Sequence, residues 1–215
     1  MIVHVLRRAQ QAALGPVVVA CAEPSIADAI TAEGGTALLT NPDLPSGSDR
    51  IHAALHQFDP DNKYNIIINL QGDLPTIDPT SLHALLSVLA HPSYDIATLV
   101  APITTEAERE AESVVKVACA FADQNPIAAA LYFSRAAIPA GPGPLWHHVG
   151  VYAYRRAALD QFVASPPSPL EQREKLEQLR ALELGLRIGA ARIAKPPFGV
   201  DTLDDLHRAR EELAP

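Results

Sequence analysis

Asn65-Ile66-Ile67-Ile68-Asn69-Leu70-Gln71-Gly72-Asp73-Leu74-Pro75 is an apolar strand pattern that runs directly into a Gln-Gly-Asp-x-Pro turn. Gly72 permits a tight bend, and Pro75 prevents the strand from continuing. The Asp73 carboxylate is therefore expected at the carboxyl end of the strand, where open α/β sheets bind their ligands. Such a carboxylate suits a divalent metal, although an Asp that merely solvates a turn is the ordinary interpretation of this motif alone.

The segments on both sides of this motif alternate between strand and helix patterns. Short apolar runs at residues 17–20, 36–39, 66–70 and 95–101 are typical of strands, and residues between them show helical spacing. A helix over residues 2–14 comes first and ends at Gly15-Pro16. This alternation predicts an α/β fold with a Rossmann-like, mostly parallel sheet and right-handed crossovers.

The pattern changes after Ala101. Strand-like runs at 114–121, 129–133 and 149–154 have little helix between them, which predicts an antiparallel insertion or ribbon at approximately residues 112–155. A helix over 170–184, a strand over 187–194 and a helix over 202–213 complete the chain. Residues 1–215 are expected to form a single domain, because this length needs no second independent core.

Composition limits the classes of protein to which the chain can belong. It has 215 residues, 48% of them hydrophobic, and its 17 Lys and Arg against 25 Asp and Glu give a formal charge of -8. That charge argues against a nucleic-acid partner. Cys21 and Cys119 lie in apolar runs, which favours buried, reduced thiols, and no long uncharged apolar segment or signal pattern is present. We expect a soluble, cytoplasmic protein with no membrane partner.

Two further segments could bind a nucleotide, an acidic sugar or a metal. Ser46-Gly47-Ser48-Asp49-Arg50 starts a helix with free backbone N–H groups, hydroxyls and a guanidinium, although a plain Ser48 cap is an equal alternative. Asp201 lies between a strand and the last helix, where capping is the default interpretation. Paired with Asp73 it could complete a Mg²⁺ site, because Mg²⁺ needs only one or two protein carboxylates. No Cys or His spacing indicates zinc.

Other polar residues are expected near a polyol-binding surface. His148, Tyr152 and Tyr154 fall on one face of a strand by two-residue alternation, although half-buried strand aromatics are equally common without a ligand. Glu177 and Gln178 lie in the middle of the predicted helix over 170–184, where a solvated face is the ordinary explanation. Lys116 and Arg135 are more often surface charges than ligands.

Seven motifs follow one another along the chain. They are Ser46-Gly47-Ser48-Asp49-Arg50, Gln71-Gly72-Asp73-Leu74-Pro75, Ala130-Leu131-Tyr132-Phe133-Ser134-Arg135, His148-Val149-Gly150-Val151-Tyr152-Ala153-Tyr154-Arg155, Ser168-Pro169-Leu170-Glu171, Glu177-Gln178-Leu179-Arg180 and Gly199-Val200-Asp201-Thr202. These motifs, in this order, resemble those of the 3-deoxy-manno-octulosonate (KDO) cytidylyltransferase family, also called CMP-KDO synthetases, which serve lipopolysaccharide synthesis. The similarity spans the chain and implies a sheet of the nucleotide-diphospho-sugar transferase type.

The resemblance implies transfer of a cytidylyl group from CTP to an acidic eight-carbon sugar, KDO, with release of pyrophosphate. It implies that the catalytic residues Asp73 and Asp201 hold Mg²⁺ and that Ser46 and Gly47 lie near the nucleotide. The sugar-binding residues that it implies are Arg50, Gln71, His148, Tyr152, Glu177 and Gln178. The family is dimeric, so we expect a homodimer with the ribbon at 112–155 as the contact region.

One departure from the family pattern concerns the start of the chain. Family members begin with a strand and a loop rich in Arg, Ser, Gly and Lys that clasps the triphosphate, whereas Met1-Ile2-Val3-His4-Val5 resembles the family's first helix. The chain is therefore expected to be N-terminally truncated and to turn over poorly. Two alternatives stay open: a cytidylyltransferase for another acidic sugar, and a catalytically impaired remnant that only binds sugar or dimerises.

Overall fold

The computed structural model describes residues 1–122, 125–200 and 202–213. The chain forms two compact units. The first unit comprises Met1–Asn65, Asn69–His83 and Pro197–Pro215, and the second unit comprises Ile66–Ile68 and Ala84–Pro196. Within the described residues, no helix has the length and apolar character needed to cross a bilayer.

Helices and strands follow one another largely as the sequence pattern predicts, and the α/β class is confirmed. The helices of the described part are α1 (Ile2–Gln11), α2 (Pro24–Ala32), α3 (Gly47–Phe58), α4 (Pro79–Leu89), α5 (Glu106–Glu110), α6 (Arg156–Val163), α7 (Pro169–Glu174), α8 (Gln178–Glu183) and α9 (Leu203–Glu212). The strands are β1 (Val18–Cys21), β2 (Thr36–Leu39), β3 (Ile66–Asn69), β4 (Ile96–Pro102), β5 (Lys116–Ala118), β6 (Ile127–Ala129), β7 (Tyr132–Ser134), β8 (Trp146–Arg155) and β9 (Ile188–Arg192).

The first unit contains a β-α-β element in which β1 and β2 pair in parallel, with Val18 opposite Thr36. The apolar run of β1 favours a strand, and Pro24 fits the first turn of α2 because that turn needs no backbone donor there. Gly34, with φ of +73°, lets the chain turn back after α2. Parallel pairing of the N-terminal strands is therefore confirmed.

The second unit contains a seven-stranded sheet in the order β6-β9-β4-β8-β5-β7, with β3 paired to β8. β4 pairs in parallel with β9, whereas β4–β8, β5–β8, β5–β7 and β6–β9 are antiparallel. The antiparallel character predicted after Ala101 is confirmed. The sheet core includes Leu99, Phe133 and Val151, all with 0% exposure.

A β-bulge interrupts the pairing of β4 with β8. Thr98 lies opposite Tyr152, but the next residue of β4, Leu99, lies opposite Val149. Gly150 and Val151 are therefore extra residues on β8. Because their number is even, the residues on either side of the bulge keep the same alternation between faces.

The predicted strand over 129–133 is wrong, because the structure has two strands there. β6 ends at Ala129 and pairs with β9, whereas β7 begins at Tyr132 and pairs with β5. The chain changes partner at Ala130 and Leu131, whose N–H groups donate to Ile188 O at 2.9 Å and Ala118 O at 2.8 Å. A continuous apolar run conceals such a change, because it indicates burial and not the identity of the pairing strand.

The single helix predicted over 170–184 is also wrong. α7 ends at Glu174 and is followed by Lys175, which has left-handed φ and ψ of 56° and 46°; the N–H of Leu176 donates to Glu171 O at 3.2 Å. These features are typical of a Schellman-type helix end, with the buried Leu176 as its apolar residue. Glu177 therefore precedes a new helix, α8, and does not lie in the middle of a long one.

A buried ion pair joins α7 to α8. Arg180 donates from Nε and Nη2 to Glu171 at 2.8 and 2.6 Å, and its guanidinium lies 4.5 Å from the ring centroid of Phe162. The side chains of Arg180 and Glu171 are only 7% and 12% exposed. Burial raises the pKa of Glu171, but the bonds from Arg180 and the Ser168 N–H lower it more, so the net pKa is below its ordinary value.

Removal of this pair should destabilise the protein strongly. Arg180→Ala leaves the Glu171 carboxylate buried without its partner, and we expect the free energy of unfolding to fall by about 3–5 kcal/mol at neutral pH. Urea unfolding followed by circular dichroism measures this loss. Because Glu171 has a lowered pKa, its stabilisation is present above its ordinary value of 4.5 and is lost as pH falls through the lowered pKa.

Arg7→Ala is the matched control, because Arg7 makes an ion pair of similar length, 2.7 Å, with Glu33. These side chains are 55% and 41% exposed, so the expected loss is below about 1 kcal/mol. Equal losses in the two variants, or a loss in Arg180→Ala that does not diminish in acid, would contradict the assigned role.

Candidate functional site

The start of α3 carries the first group of candidate residues, and Ser46 is its cap. Ser46 Oγ accepts from the Asp49 N–H at 3.2 Å and donates to Asp49 Oδ2 at 2.5 Å. The alternative in which Ser48 caps the helix is therefore wrong; Ser48 is the second helical residue and is buried. Gly47 is the exposed first residue of the helix, where backbone N–H groups lack helical partners.

Gln71 lies next to this helix start within the first unit. A Cβ atom on Gly47 would lie 3.6 Å from both Oε1 and Nε2 of Gln71. Arg50 Nη1 donates to Thr40 Oγ1 at 2.7 Å and to Asn41 O at 3.2 Å, which holds the guanidinium beside the end of β2. The structure therefore brings Gln71, a predicted sugar-binding residue, to Gly47, a predicted nucleotide-binding residue.

Asp73 is half-buried in the turn after β3, and this turn is bonded to the segment that leads to Asp201. Asp73 O accepts from the Val200 N–H at 2.9 Å. Thr76 Oγ1 donates to Phe198 O and accepts from the Phe198 N–H, both at 3.1 Å. Asp201 itself lies outside the described residues, but its neighbour in sequence is thus held against Asp73.

The default interpretation of Asp201 is that it caps the last helix, but α9 has another residue as its cap. Thr202 is the N-cap, because its Oγ1 accepts from the Asp205 N–H at 3.1 Å and the Asp205 carboxylate accepts from the Thr202 N–H at 3.0 Å. This reciprocal pair is a capping box.

The second unit brings the candidate aromatic residues of β8 together. The ring centroids of His148 and Tyr152 are 5.4 Å apart, and those of Tyr152 and Tyr154 are 5.8 Å apart. The predicted placement of these three residues on one face is confirmed. Phe133 of β7 packs edge-on against His148 with a centroid distance of 5.0 Å.

Burial keeps the polar rings of this row neutral. Desolvation, followed by the effect of His147, lowers the pKa of His148 to about 3. Burial, followed by the charges of Tyr154 and Glu177, raises the pKa of Tyr152 well above its ordinary value. The row therefore offers a neutral imidazole and a neutral phenol.

Gln178 has an unsatisfied donor. It is the first residue of α8 and is 8% exposed, and its Nε2 is buried with no hydrogen-bond partner among the described residues. Most buried side-chain polar atoms have a partner, so an orphan amide beside other candidate residues indicates a place for a ligand oxygen.

The sequence interpretation missed the burial of two polar residues in the second unit. Lys116, expected at the surface, has 0% exposure; its Nζ donates to Ala111 O at 2.7 Å and Arg135 O at 3.0 Å, and desolvation lowers its pKa. Thr98 also has 0% exposure and its hydroxyl lies 3.1 Å from His148 Nε2. A lone hydroxyl within the apolar strand Ile96–Pro102 was the available signal for Thr98.

Comparison with known proteins identifies the family of the chain. The model of the cytidylyltransferase family matches residues 1–188. A 3-deoxy-manno-octulosonate cytidylyltransferase of Paramagnetospirillum magneticum is 53% identical over 213 residues, which cover 99% of this chain and 87% of the relative. One of Rhodopseudomonas palustris (strain BisB18) is 56% identical over 214 residues, with 100% and 87% covered.

Solved structures give the same result. CMP:2-keto-3-deoxy-manno-octonic acid synthetase complexed with CTP aligns with a TM-score of 0.88 and 38% identity over 99% of this chain and 87% of that protein. UDP-glucose pyrophosphorylase aligns with a TM-score of 0.65 and 11% identity over 97% and 84% of the two chains, which shows the common nucleotide-diphospho-sugar transferase type of fold alone. The chain therefore belongs to the cytidylyltransferase family, within the branch of the 3-deoxy-manno-octulosonate cytidylyltransferases.

Proposed function

We propose that this protein transfers a cytidylyl group from CTP to 3-deoxy-D-manno-octulosonate, for lipopolysaccharide synthesis. The anomeric hydroxyl oxygen attacks the α-phosphorus of CTP, the bond to the β-phosphate oxygen breaks, and the hydroxyl loses its proton. The products are CMP-KDO and pyrophosphate. One observation carries the proposal. Two relatives that are 53% and 56% identical over nearly the whole chain are both named 3-deoxy-manno-octulosonate cytidylyltransferase.

The first unit supplies the proposed nucleotide-binding groups. Gly47 is exposed at the start of the twelve-residue α3, so the backbone N–H groups of the first turn can approach an anionic or polar ligand. Ser46 holds this turn in place through its cap. In the proposed role both residues lie near the nucleotide, and a larger side chain at Gly47 would meet Gln71.

Asp73 and Asp201 are the proposed ligands of Mg²⁺. The donor set suits this ion, because carboxylates are hard oxygen ligands and Mg²⁺ takes only one or two of them. When bound, Mg²⁺ neutralises charge on phosphate oxygens and orients the reacting groups. The hydrogen bond from the Val200 N–H to Asp73 O fixes the turn that carries Asp73.

The proposed sugar-binding residues differ in what they recognise. Arg50 and Gln71 belong to the first unit, and the guanidinium of Arg50 suits the sugar carboxylate. His148, Tyr152, Glu177 and Gln178 belong to the second unit and suit hydroxyl groups. Hydroxyls both donate and accept, so they match a neutral imidazole, a phenol and an amide that lacks a partner.

The metal role of Asp73 is tested by charge removal. Asp73→Asn keeps the shape of the side chain but weakens a hard anionic ligand, so we expect pyrophosphate release to fall by about a hundredfold or more. Release in the wild type should require CTP, the sugar and Mg²⁺ together. Asp61→Asn removes an exposed carboxylate paired with Lys63 and should change the rate by less than about twofold. Undiminished release in Asp73→Asn would refute the metal role.

The sugar role of Gln178 is tested by truncation of its amide. Gln178→Ala should raise KM for the sugar by about tenfold, because a buried donor to the sugar is lost, and should leave KM for CTP nearly unchanged. Gln161→Ala, at an exposed position of α6, is the control and should alter neither constant. Equal changes in the two KM values would contradict a sugar-specific contact. Assays with other acidic sugars in place of KDO test the choice of substrate.

We also propose a homodimer that uses the region around residues 112–155. Leu131 lies in this region and is 68% exposed, so it offers an apolar side chain to a partner.

Light scattering during gel filtration should give twice the chain mass of 23.0 kDa. Leu131→Asp should shift the mass towards the monomer, because it places a charge in the apolar contact. Leu203→Asp changes a leucine that is 76% exposed elsewhere and should leave the dimer intact. A monomer mass for the wild type at all concentrations would overturn the proposed assembly.

A cytoplasmic location completes the proposal. Cys21 and Cys119 are both free thiols, and burial raises the pKa of Cys119 to about 12. Buried, protonated thiols are usual in proteins of reducing compartments.

A further inference from the structure

Thr98 makes more close polar contacts than its single proton can serve. Its Oγ1 lies 3.0 Å from Val151 O, 3.2 Å from Val149 O and 3.1 Å from His148 Nε2. These contacts arise at the bulge of β8, because the two extra residues turn a pair of carbonyl groups toward the opposing strand. Thr98 is fully buried, so water cannot supply further donors.

The number of donors decides which nitrogen of His148 carries hydrogen. Carbonyl oxygens only accept, so a hydroxyl proton directed at Nε2 would leave two carbonyl oxygens against an oxygen lone pair in a dry environment. If the hydroxyl proton is instead shared between the two carbonyl oxygens, Nε2–H can donate to Oγ1, and no acceptor of the group faces only another acceptor. The geometry therefore selects the neutral ring with hydrogen on Nε2.

This tautomer determines the hydrogen-bonding role of the other ring nitrogen, Nδ1. A neutral imidazole has one N–H, so Nδ1 of His148 is an acceptor and has no hydrogen-bond partner in the part of the chain that the structure describes. The rings of Phe133 and Tyr152 both pack against the imidazole, with centroid distances of 5.0 and 5.4 Å, and restrict its rotation. The lowered pKa of His148 agrees with a ring that remains neutral at physiological pH.

We propose that Thr98 is a positioning residue that holds His148 as the Nε2–H tautomer, so that Nδ1 accepts a hydrogen bond from a hydroxyl of the sugar substrate. The sugar part rests on the proposed function, whereas the tautomer does not. Thr98 does not touch the substrate in this arrangement; it acts through His148. A sugar in which that hydroxyl is replaced by a group without a donor would bind less tightly.

The tautomer can be measured directly in the wild-type protein. Long-range ¹H–¹⁵N correlation spectra of protein with ¹⁵N-histidine distinguish the protonated from the unprotonated ring nitrogen, and His148→Gln identifies the His148 signals among the eight histidines. We expect a protonated Nε2 and an unprotonated Nδ1. A protonated Nδ1 would overturn the proposal, whether or not the protein turns over CTP and the sugar.

Thr98→Ser and Thr98→Ala form a matched pair that differs in the hydroxyl alone. Thr98→Ala should raise KM for the sugar by about tenfold relative to Thr98→Ser, with KM for CTP equal in the two variants, and its His148 should show a mixture of tautomers. Equal sugar KM values in the pair would overturn the positioning role. Absence of turnover in the wild type would refute the proposed function instead, and the wild-type spectrum would still decide the tautomer.

Discussion

The antiparallel pairing of β4 with β8 is the constraint on which the candidate site of the second unit depends. β4 is buried at every residue except Pro102, and β8 pairs with β4, β5 and β3. A slip of one residue would turn every side chain of β8 to the opposite face. His148 and Tyr152 would then leave the face on which they meet, so burial of β4 also fixes the position of the polar row.

The bulge in this pairing keeps the regular alternation of side chains between the two faces and also brings two carbonyl groups of β8 to the Thr98 hydroxyl. An insertion of one residue would have separated His148 and Tyr152 between faces, but Gly150 and Val151 together preserve the alternation. The cost is a disturbed hydrogen-bond ladder, and the Thr98 hydroxyl reaches the carbonyl oxygens of Val149 and Val151 at that point. One side chain thereby repairs the ladder and contacts the imidazole.

Much of the fold could be predicted from local pattern. β2 has the predicted bounds, Thr36–Leu39, because a short apolar run is a local signal. The break at Lys175 and the change of partner at Ala130 were not predicted, because each depends on residues distant in sequence or on one left-handed residue.

The features of the candidate site also divide into those that local sequence determines and those that depend on residues distant in sequence. Asp73 could be placed at the end of a strand from Gly and Pro signals, which are local, and residues 46–50 could be placed at the start of a helix. The sequence nevertheless offered Ser48 as the cap, whereas the structure has Ser46. The burial of Lys116 and Thr98 could not be predicted, because exposure depends on which strands flank β5 and β4. A polar residue in an apolar strand is a signal of a contact, but its partner becomes known only from the register.

Unsatisfied polar groups connect the stability of the second unit to ligand binding. The Nε2 of Gln178 is a buried donor without a partner among the described residues, and such a group costs about 1–3 kcal/mol when left unpaired. The buried pair of Arg180 and Glu171, in the helices on either side of Glu177, holds the amide in place despite that cost. A sugar hydroxyl that accepts from this amide removes the penalty, whereas an apolar substituent retains it. In the proposed sugar-binding role of Gln178, selectivity for a polyhydroxylated acid would arise from the donor that the protein leaves unpaired as well as from the contacts that it makes.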